Sequence, residues 1–372
     1  MLVVALSLIG MKQTRLPIIF AAIIFLMACS NKVQQHATDQ SESFGDRFSV
    51  KRGTNIAHWL SQSGRRGEER KNFITAKDLE LIKSQGFDHV RLPVDEEQLW
   101  DSSGKREEEA FVLLDNFMQW SSQSGLRVIL DLHILRSHYF NAEEKPLWTK
   151  PEEQDKFIRL WKDLSSFVGK WPNAMLAYEF MNEPVADEAE QWNVLLMRVA
   201  DSIRSWEKER VLVIGSNKWQ SVNTFDELRV PANDKNILLS FHFYEPFHLT
   251  HYKASWTKLK DFDGQVQYPG QIVVNGDEEE ERKVYNRDTL EKMMAKPIRL
   301  ADSLGLPLYC GEFGVIDGSP IESKQAWYRD LVAIFDKHNI GYANWNYKAG
   351  SFGIVDANMQ PDEPMVNILT GK

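Results

Sequence analysis

Residues 178–184 read YEFMNEP and residues 309–314 read YCGEFG, and in both stretches an apolar, strand-like run ends in a glutamate. In the first stretch a proline follows at once, and proline cannot continue a hydrogen-bonded ladder. Each phrase therefore predicts a strand that delivers a carboxylic acid, Glu183 or Glu312, to a loop. The two glutamates are either a working pair or unrelated surface acids, and the rest of the chain decides between these interpretations.

The same unit recurs along the chain: a short apolar run, polar residues at its C-terminal end, and then an amphipathic helical stretch. In the helical stretch TAKDLELIKSQG, Thr75 is predicted as the N-cap and Gly86 as the C-terminal stop. Strands and helices that alternate in this way predict a single-domain α/β fold, the (β/α)8 TIM barrel, with an insertion after strand six at about residues 246–287. The predicted strands are Gly53–Trp59, His89–Pro93, Arg127–His133, Met175–Pro184, Val211–Ser216, Ile237–Tyr244, Leu308–Phe313 and Tyr342–Tyr347.

Side chains that can carry charge, donate hydrogen bonds or stack on a ligand stand at the ends of six of these runs. In a TIM barrel the C-terminal strand ends converge on one mouth. Each has an ordinary interpretation when taken alone: a structural ion pair for an arginine, a buried hydrogen-bonded ring for a histidine, core packing for a tryptophan, a simple cap for an amide or a tyrosine. Their joint placement on different strands is what these interpretations leave unexplained. The candidate site residues are Arg91, His133, Asn182, Glu183, His242, Tyr244, Glu312 and Trp345.

The composition and the missing motifs exclude most other chemistries. A net charge of -9 without a basic block argues against a nucleic-acid partner. The sequence has no phosphate-binding Gly-rich loop, no HExxH and no GxSxG, so we expect no cofactor and no metal. Cys310 lies within a predicted strand, where a small buried side chain is the ordinary interpretation.

Two carboxyl groups at one cleft are the requirement of glycoside hydrolysis, provided that one is ionised and the other protonated. Donors from Arg91, Asn182 and Tyr244 could surround one carboxylate and hold its charge. Glu179 poses a separate problem, because strand alternation gives it the same parity as Glu183. We expect Glu179 to be hydrogen-bonded inside the barrel or displaced by a bulge, and not to be catalytic.

The N-terminal residues predict export. Residues 1–29 carry basic residues, an apolar run and LMAC, which resembles a bacterial lipobox ending at Cys29; an ordinary secretory signal is the alternative, and either Met1 or Met11 could be the start. Residues 30–47 are polar and predict a flexible tether, and we expect residues 48–372 to form the catalytic domain. We expect a monomeric lipoprotein of a bacterial cell envelope, on the periplasmic or cell-surface side of the outer membrane, that touches the membrane only through its lipid.

The strand-end residues resemble those of glycoside hydrolase family 5, whose members are (β/α)8 retaining glycosidases with glutamates at the ends of strands four and seven. The likeness covers about residues 48–370 and is closest to compact clostridial-type endoglucanases, through FITAKDLELIKSQGFDHVRLP, HFYEPFHLTHYKASW, LYCGEFGVI and WNYK. It implies Glu183 as the acid/base and Glu312 as the nucleophile. It also implies substrate-binding roles: Asn182 at the sugar 2-hydroxyl, Arg91 and Tyr244 around the nucleophile, His133 and His242 in the cleft wall, and Trp345 as a stacking platform.

The function that this resemblance implies is a retaining endo-β-1,4-glucanase acting on β-glucan. A β-mannanase or β-1,3-glucanase on the same scaffold is the alternative, because fold and catalytic set do not fix the sugar. A non-catalytic glycan-binding lipoprotein would be expected to lose a glutamate or Arg91, and here both are present. The sequence departs from such enzymes at Ala57-His58, where they often carry paired glycines. The resemblance also implies that the insertion covers part of the cleft, the alternative being a solvated loop.

Overall fold

Eleven strands occur in the residues that the computed structural model describes, 44–274 and 283–372. Eight of these described strands are parallel and close into a barrel, and three short antiparallel strands form a separate sheet. The barrel strands are β1 (Arg52–Asn55), β2 (His89–Asp95), β3 (Arg127–Ile134), β4 (Leu176–Glu179), β5 (Val211–Gly215), β6 (Ile237–Phe243), β10 (Leu308–Phe313) and β11 (Gly341–Asn344). The small sheet contains β7 (Gln265–Val266), β8 (Gly270–Val273) and β9 (Val284–Tyr285). The predicted (β/α)8 barrel is confirmed.

Each barrel strand pairs in parallel with its neighbours in the order β1-β11-β10-β6-β5-β4-β3-β2. Helices connect the strands, as parallel pairing requires. The helix over Ala76–Gln85 begins where the Asp78 carboxylate accepts a hydrogen bond from the Thr75 backbone N–H at 2.8 Å, and it ends at Gly86 with φ 102°. The helices are Gly67–Phe73, Ala76–Gln85, Glu96–Leu99, Glu108–Gln123, Pro151–Val168, Ala189–Trp206, Asn217–Gln220, Phe247–Thr250, Arg287–Met293, Ala295–Leu304, Ile321–His338 and Glu363–Thr370.

Three predicted strands extend too far at their C-terminal ends. β4 ends at Glu179 instead of Pro184, β1 ends at Asn55 instead of Trp59, and β11 ends at Asn344 instead of Tyr347. The residues just beyond these ends remain buried, for example Phe180 and Met181. The chain therefore remains buried after the hydrogen bonds of the strand end. An apolar sequence pattern cannot distinguish a buried strand from the buried loop that follows it.

The lower part of the barrel interior is a layer of apolar side chains, one from each of six strands. The layer contains Ile129, Ala177, Val213, Leu238, Tyr309 and Ala343. Because side chains alternate along a strand, the next inward position lies two residues further on. At these positions β3 and β4 place Asp131 and Glu179, both fully buried, so a polar layer lies above the apolar one.

The segment after β6 is folded where it is described. It begins with the helix Phe247–Thr250 and continues into the β7-β8-β9 sheet, which confirms the predicted insertion. The acidic run Asp277–Glu281 lies outside the described residues, as do Cys29 and most of the predicted tether. Among the helices of the described ranges, none combines the length and the apolarity that crossing a bilayer would require.

Candidate active site

A cleft of about 980 Å³ opens at the C-terminal ends of the barrel strands. Seven of the eight predicted site residues line it: His133, Asn182, Glu183, His242, Tyr244, Glu312 and Trp345. Arg91 is fully buried and lies beneath this lining, where it contacts Glu312. The mouth of the barrel thus brings together side chains from β2, β3, β4, β6, β10 and β11 or from the residues directly after them.

Glu312 reaches the cleft because β10 contains an irregularity. Cys310 pairs with Phe241 and Glu312 pairs with His242, so one residue of β10 is skipped relative to β6. With Tyr309 inside the barrel, strict alternation would turn Glu312 outward, and the bulge turns it inward. Its Oε1 accepts a hydrogen bond from Arg91 Nη1 at 2.7 Å, and its Oε2 accepts one from the Tyr244 hydroxyl at 3.0 Å.

Glu183 lies beyond the end of β4, in a segment with irregular backbone. Its φ is 45°, in the left-handed region that non-glycine residues seldom adopt. The following residues are held in place, since the Val185 N–H donates to His138 Nε2 at 3.1 Å and the Ala186 N–H donates to Asn217 Oδ1 at 2.9 Å. This geometry directs the Glu183 carboxyl to His242, whose Nδ1 lies 2.9 Å from Oε1.

The two glutamates have different electrostatic surroundings. Burial, together with the negative charge of Glu312, raises the pKa of the Glu183 carboxyl well above its ordinary value. Burial also raises the pKa of Glu312, but the Arg91 guanidinium and the Tyr244 hydroxyl oppose that rise. The proton is therefore held on Glu183 and the negative charge on Glu312.

His242 lies beside both carboxyl groups. Burial and the positive charge of Arg91 lower the pKa of His242 well below its ordinary value, so the ring is neutral at pH 7. Its Nδ1 lies 2.9 Å from a Glu183 oxygen and 3.8 Å from a Glu312 oxygen. One atom each from Glu183, His242 and Glu312 lie within 4.8 Å of one another. Because Glu183 retains its proton and its carboxyl group hydrogen-bonds to the His242 ring, these two side chains satisfy each other's hydrogen bonding. We therefore assign no cation to the three groups.

His133 and Trp345 form one wall of the cleft. The two rings are stacked, with centroids 5.8 Å apart and planes 9° from parallel. His133 Nδ1 lies 2.6 Å from Asp131 Oδ2, and its Nε2 lies 3.1 Å from Gln62 Nε2. Burial lowers the pKa of His133 to about 4, so this ring is also neutral.

The hydrogen-bond partner of Asn182 differs from the sequence expectation, which placed its amide among the donors around a catalytic carboxylate. Its Oδ1 accepts a hydrogen bond from Arg91 Nη2 at 2.9 Å, while the donors on Glu312 are Arg91 and Tyr244. The amide oxygen is thereby fixed. Asn182 is thus held by the same arginine that binds Glu312, a link that the sequence does not reveal.

Sequence reasoning missed three residues of the polar layer: Asn55, Asp131 and Gln220. Asp131 could have been found, because it precedes His133 by two residues and so shares its inward face. No sequence pattern pointed to Gln220, which is the last residue of the short helix Asn217–Gln220 after β5 and has φ 52°. The predicted hydrogen bonding of Glu179 inside the barrel is confirmed: it is fully buried and its Oε2 accepts a hydrogen bond from Arg91 Nε at 2.6 Å. That Glu179 is not catalytic stays a prediction.

Further aromatic side chains lie around the cleft. Trp219 is 46% exposed and Trp256 is 58% exposed, and both line it, as do Tyr139 and Phe247. Trp256 and Phe247 belong to the insertion after β6. Trp148 is instead packed against His138 and Trp192, which is the ordinary core interpretation.

The Ala57-His58 pair, where the sequence departs from similar enzymes, places His58 in the same cleft wall as Trp345. His58 has φ 60°, lines the cleft and meets the Trp345 ring edge-on at 6.2 Å. The turn at Gly350 lies against it, and a Cβ at that glycine would stand 2.7 Å from His58 Nε2. An imidazole therefore occupies space beside Trp345 that a glycine would leave open.

A (β/α)8 barrel with two glutamates of unequal basicity at its mouth defines the class of barrel glycoside hydrolases. Residues 50–351 match the model of the family described as cellulase, glycosyl hydrolase family 5. The chain belongs to glycosyl hydrolase family 5.

Individual relatives agree with this assignment. The chain is 33% identical over 341 residues to endoglucanase C of Acetivibrio thermocellus, covering 86% of this chain and 98% of that protein. It is 30% identical over 293 residues to cellodextrinase A of Ruminococcus flavefaciens, covering 78% of this chain and 83% of that protein. Among solved structures, Cel5A of Thermotoga maritima in complex with mannotriose is similar, with a TM-score of 0.71, 25% identity, and coverage of 86% of this chain and 97% of that chain.

Proposed function

We propose that the protein is a retaining endo-β-1,4-glucanase in which Glu183 is the acid/base and Glu312 is the nucleophile. One observation carries the proposal: an oxygen of Glu183 and an oxygen of Glu312 lie within 4.8 Å, and only Glu312 is bound by an arginine. Retaining glycosidases have carboxyl groups about 5–5.5 Å apart, whereas inverting enzymes need about 6.5–9.5 Å to admit a water.

In the first step an oxygen of Glu312 attacks the anomeric carbon of the sugar. The glycosidic C–O bond breaks, and the departing oxygen takes the proton of Glu183. Arg91 and Tyr244 keep the attacking carboxylate charged and oriented through their bonds of 2.7 and 3.0 Å. The product is a glycosyl ester on Glu312 and a shortened glucan.

In the second step Glu183 acts as a base. Ester formation removes the negative charge of Glu312, which is one of the causes of the raised pKa of Glu183, so that pKa falls. Glu183 then accepts a proton from a water molecule that attacks the anomeric carbon. The ester bond breaks, Glu312 is restored as a carboxylate, and the sugar leaves with its original configuration.

The relatives support a β-1,4-glucan as the substrate, since those at 33% and 30% identity are named as an endoglucanase and a cellodextrinase. Trp345, together with the exposed aromatic rings of Trp219 and Trp256, offers flat faces on which sugar rings stack. The Thermotoga maritima enzyme was solved with mannotriose, so mannan belongs among the test substrates. A non-catalytic glycan-binding role is not favoured, because Glu183, Glu312 and Arg91 are all present and Arg91 binds Glu312.

The purified protein is expected to hydrolyse carboxymethylcellulose and mixed-linkage β-glucan in preference to mannan and β-1,3-glucan. Proton NMR of the first product should show the β-anomer, because two displacements restore the configuration. The reducing ends and the viscosity of the polymer distinguish internal from terminal cleavage, and internal cleavage lowers the viscosity early. Initial release of the α-anomer, or preferential hydrolysis of mannan, would contradict the proposal.

We further propose that the protein is exported and anchored by a lipid on Cys29. The LMAC sequence supports this, as does the position of the barrel residues downstream of a polar segment that can act as a tether. We expect the membrane fraction of cells to contain a chain whose N-terminus is acylated Cys29, as measured by mass spectrometry, and expect Cys29→Ser to release it. A soluble wild-type chain cleaved elsewhere would refute the anchor.

A further inference from the structure

The guanidinium of Arg91 is surrounded by more carboxyl groups than its single charge can balance. Its Nε lies 2.6 Å from Glu179, its Nη2 lies 2.9 Å from Asp131, and its Nη1 lies 2.7 Å from Glu312. The side chains of Asp131 and Glu179 are at most 1% exposed. Buried carboxylates in such a cluster compete for one positive charge. The contacts that one carboxylate makes with the guanidinium therefore change the pKa of the others.

Of these three carboxyl groups, Glu179 makes the most extensive contact with the Arg91 guanidinium. Its two oxygens accept a forked pair of bonds from Arg91 Nε and Nη2, at 2.6 and 3.1 Å. Gln220 Nε2 donates to it from the other side at 3.0 Å. Burial raises the pKa of Glu179, but the three N–H donors from Arg91 and Gln220 oppose that rise by stabilising the charged form, so we take Glu179 as the ionised partner of the fork. Burial raises the pKa of Asp131 to about 7, although Arg91 opposes the rise, so Asp131 is partly protonated near neutral pH.

The fork also fixes the direction of the remaining nitrogen. With Nε and Nη2 bound to Glu179, Arg91 presents Nη1 to the Oδ1 of Asn55 at 2.9 Å and to Glu312 at 2.7 Å. A planar guanidinium has no freedom to change one of these contacts without tilting the others.

We propose that Glu179 is a positioning residue for Arg91: it aims the guanidinium at Glu312 and offsets part of its positive charge, so that Glu312 remains basic enough to attack a sugar. The inference rests on the proposed function, in which Glu312 is the nucleophile. A carboxylate paired with an arginine alone becomes a weaker base, by about 1–3 pKa units. An attacking group that weak would form the glycosyl ester slowly.

Several groups besides Glu179 act on Glu312, and the experiment must hold them constant. The groups that face it are Arg91 from β2, Asp131 and His133 from β3, Glu183 after β4, His242 and Tyr244 from β6 and its end, and Cys310 on its own strand. A substitution at Glu179 leaves all of these side chains in the protein.

The test is the pH dependence of kcat/KM for Glu179→Gln on an aryl β-cellobioside. The acidic limb reports the first deprotonation of the coupled glutamate pair in the free enzyme. We expect that limb to move to lower pH by about one unit, because a negative charge near Glu312 is lost. We also expect kcat on the plateau to fall about tenfold, since the nucleophile becomes less basic and Arg91 less firmly aimed. A loss of activity that is equal at all pH values, with an unmoved limb, would show a merely structural role and overturn the proposal.

Asp78→Asn is the matched control. Asp78 is also a buried carboxylate with one cationic partner, Lys348 at 2.6 Å, but neither residue lines the cleft. It should cost stability while leaving the acidic limb where the wild type has it. A limb that moves equally in this control would count against the proposal.

If Glu179→Gln does not fold, as judged by circular dichroism, Gln220→Met takes its place. It removes one donor from Glu179 without altering Arg91, so the charged form of Glu179 is less stable and the limb should move in the same direction by less. An unmoved limb in folded Gln220→Met overturns the inference. The proposed function fails separately, if the wild-type protein does not hydrolyse β-glucan or does so with inversion.

Discussion

Replacing Glu312 with glutamine is expected to lower kcat/KM on β-glucan by about 10⁴-fold or more, because an amide cannot form the glycosyl ester. Arg91 would then face a neutral group where it now binds a carboxylate oxygen at 2.7 Å. The substrate should still bind, since the cleft walls are unchanged. The measurement is the initial rate on carboxymethylcellulose together with the binding of a cello-oligosaccharide by calorimetry.

Glu291→Gln is the control for this variant. Glu291 also accepts bonds from two basic side chains, Lys337 at 2.6 Å and His338 at 2.7 Å, but it does not line the catalytic cleft. This variant should retain wild-type kcat/KM. Normal turnover by Glu312→Gln would refute the assignment of the nucleophile.

Replacing Glu183 with alanine is expected to have an effect that depends on the leaving group. On β-glucan, whose leaving group needs a proton, the rate should fall by about 10²–10⁴-fold, the usual contribution of a general acid. On an aryl cellobioside with an acidic phenol, the first step should remain fast and the second should become slow, because no base activates water. The expected observation is a burst of phenol followed by slow turnover.

Azide distinguishes this assignment from a structural defect. As a nucleophile that needs no base, it should accelerate turnover of Glu183→Ala and give the β-glycosyl azide, identified by NMR. Asp187→Ala is the control, because Asp187 is exposed in the same loop and should leave both rates unchanged. An equal loss on both leaving groups with no azide product would show that Glu183 is not the acid/base.

The residues of the site could be found from the sequence because barrel topology sends every strand end to one mouth. His133, His242 and Trp345 each stand at a predicted strand end, and all three line the cleft. Their partners could not be found in this way. The contact between Arg91 and Glu312 joins residues 221 positions apart, and no local pattern records which oxygen an arginine will bind.

The sequence by itself determined the alternation of strands and helices, since apolar periodicity follows from which faces are buried. It also determined which strand ends carry carboxyl, amide and imidazole groups. Only the tertiary structure decided that Glu312 faces inward, because a bulge against β6 reverses its alternation. Only the tertiary structure decided that Glu183 turns into the cleft at φ 45° while Glu179, four residues earlier, is buried against Arg91. Both outcomes depend on hydrogen bonds between distant strands, and these form only when the barrel closes.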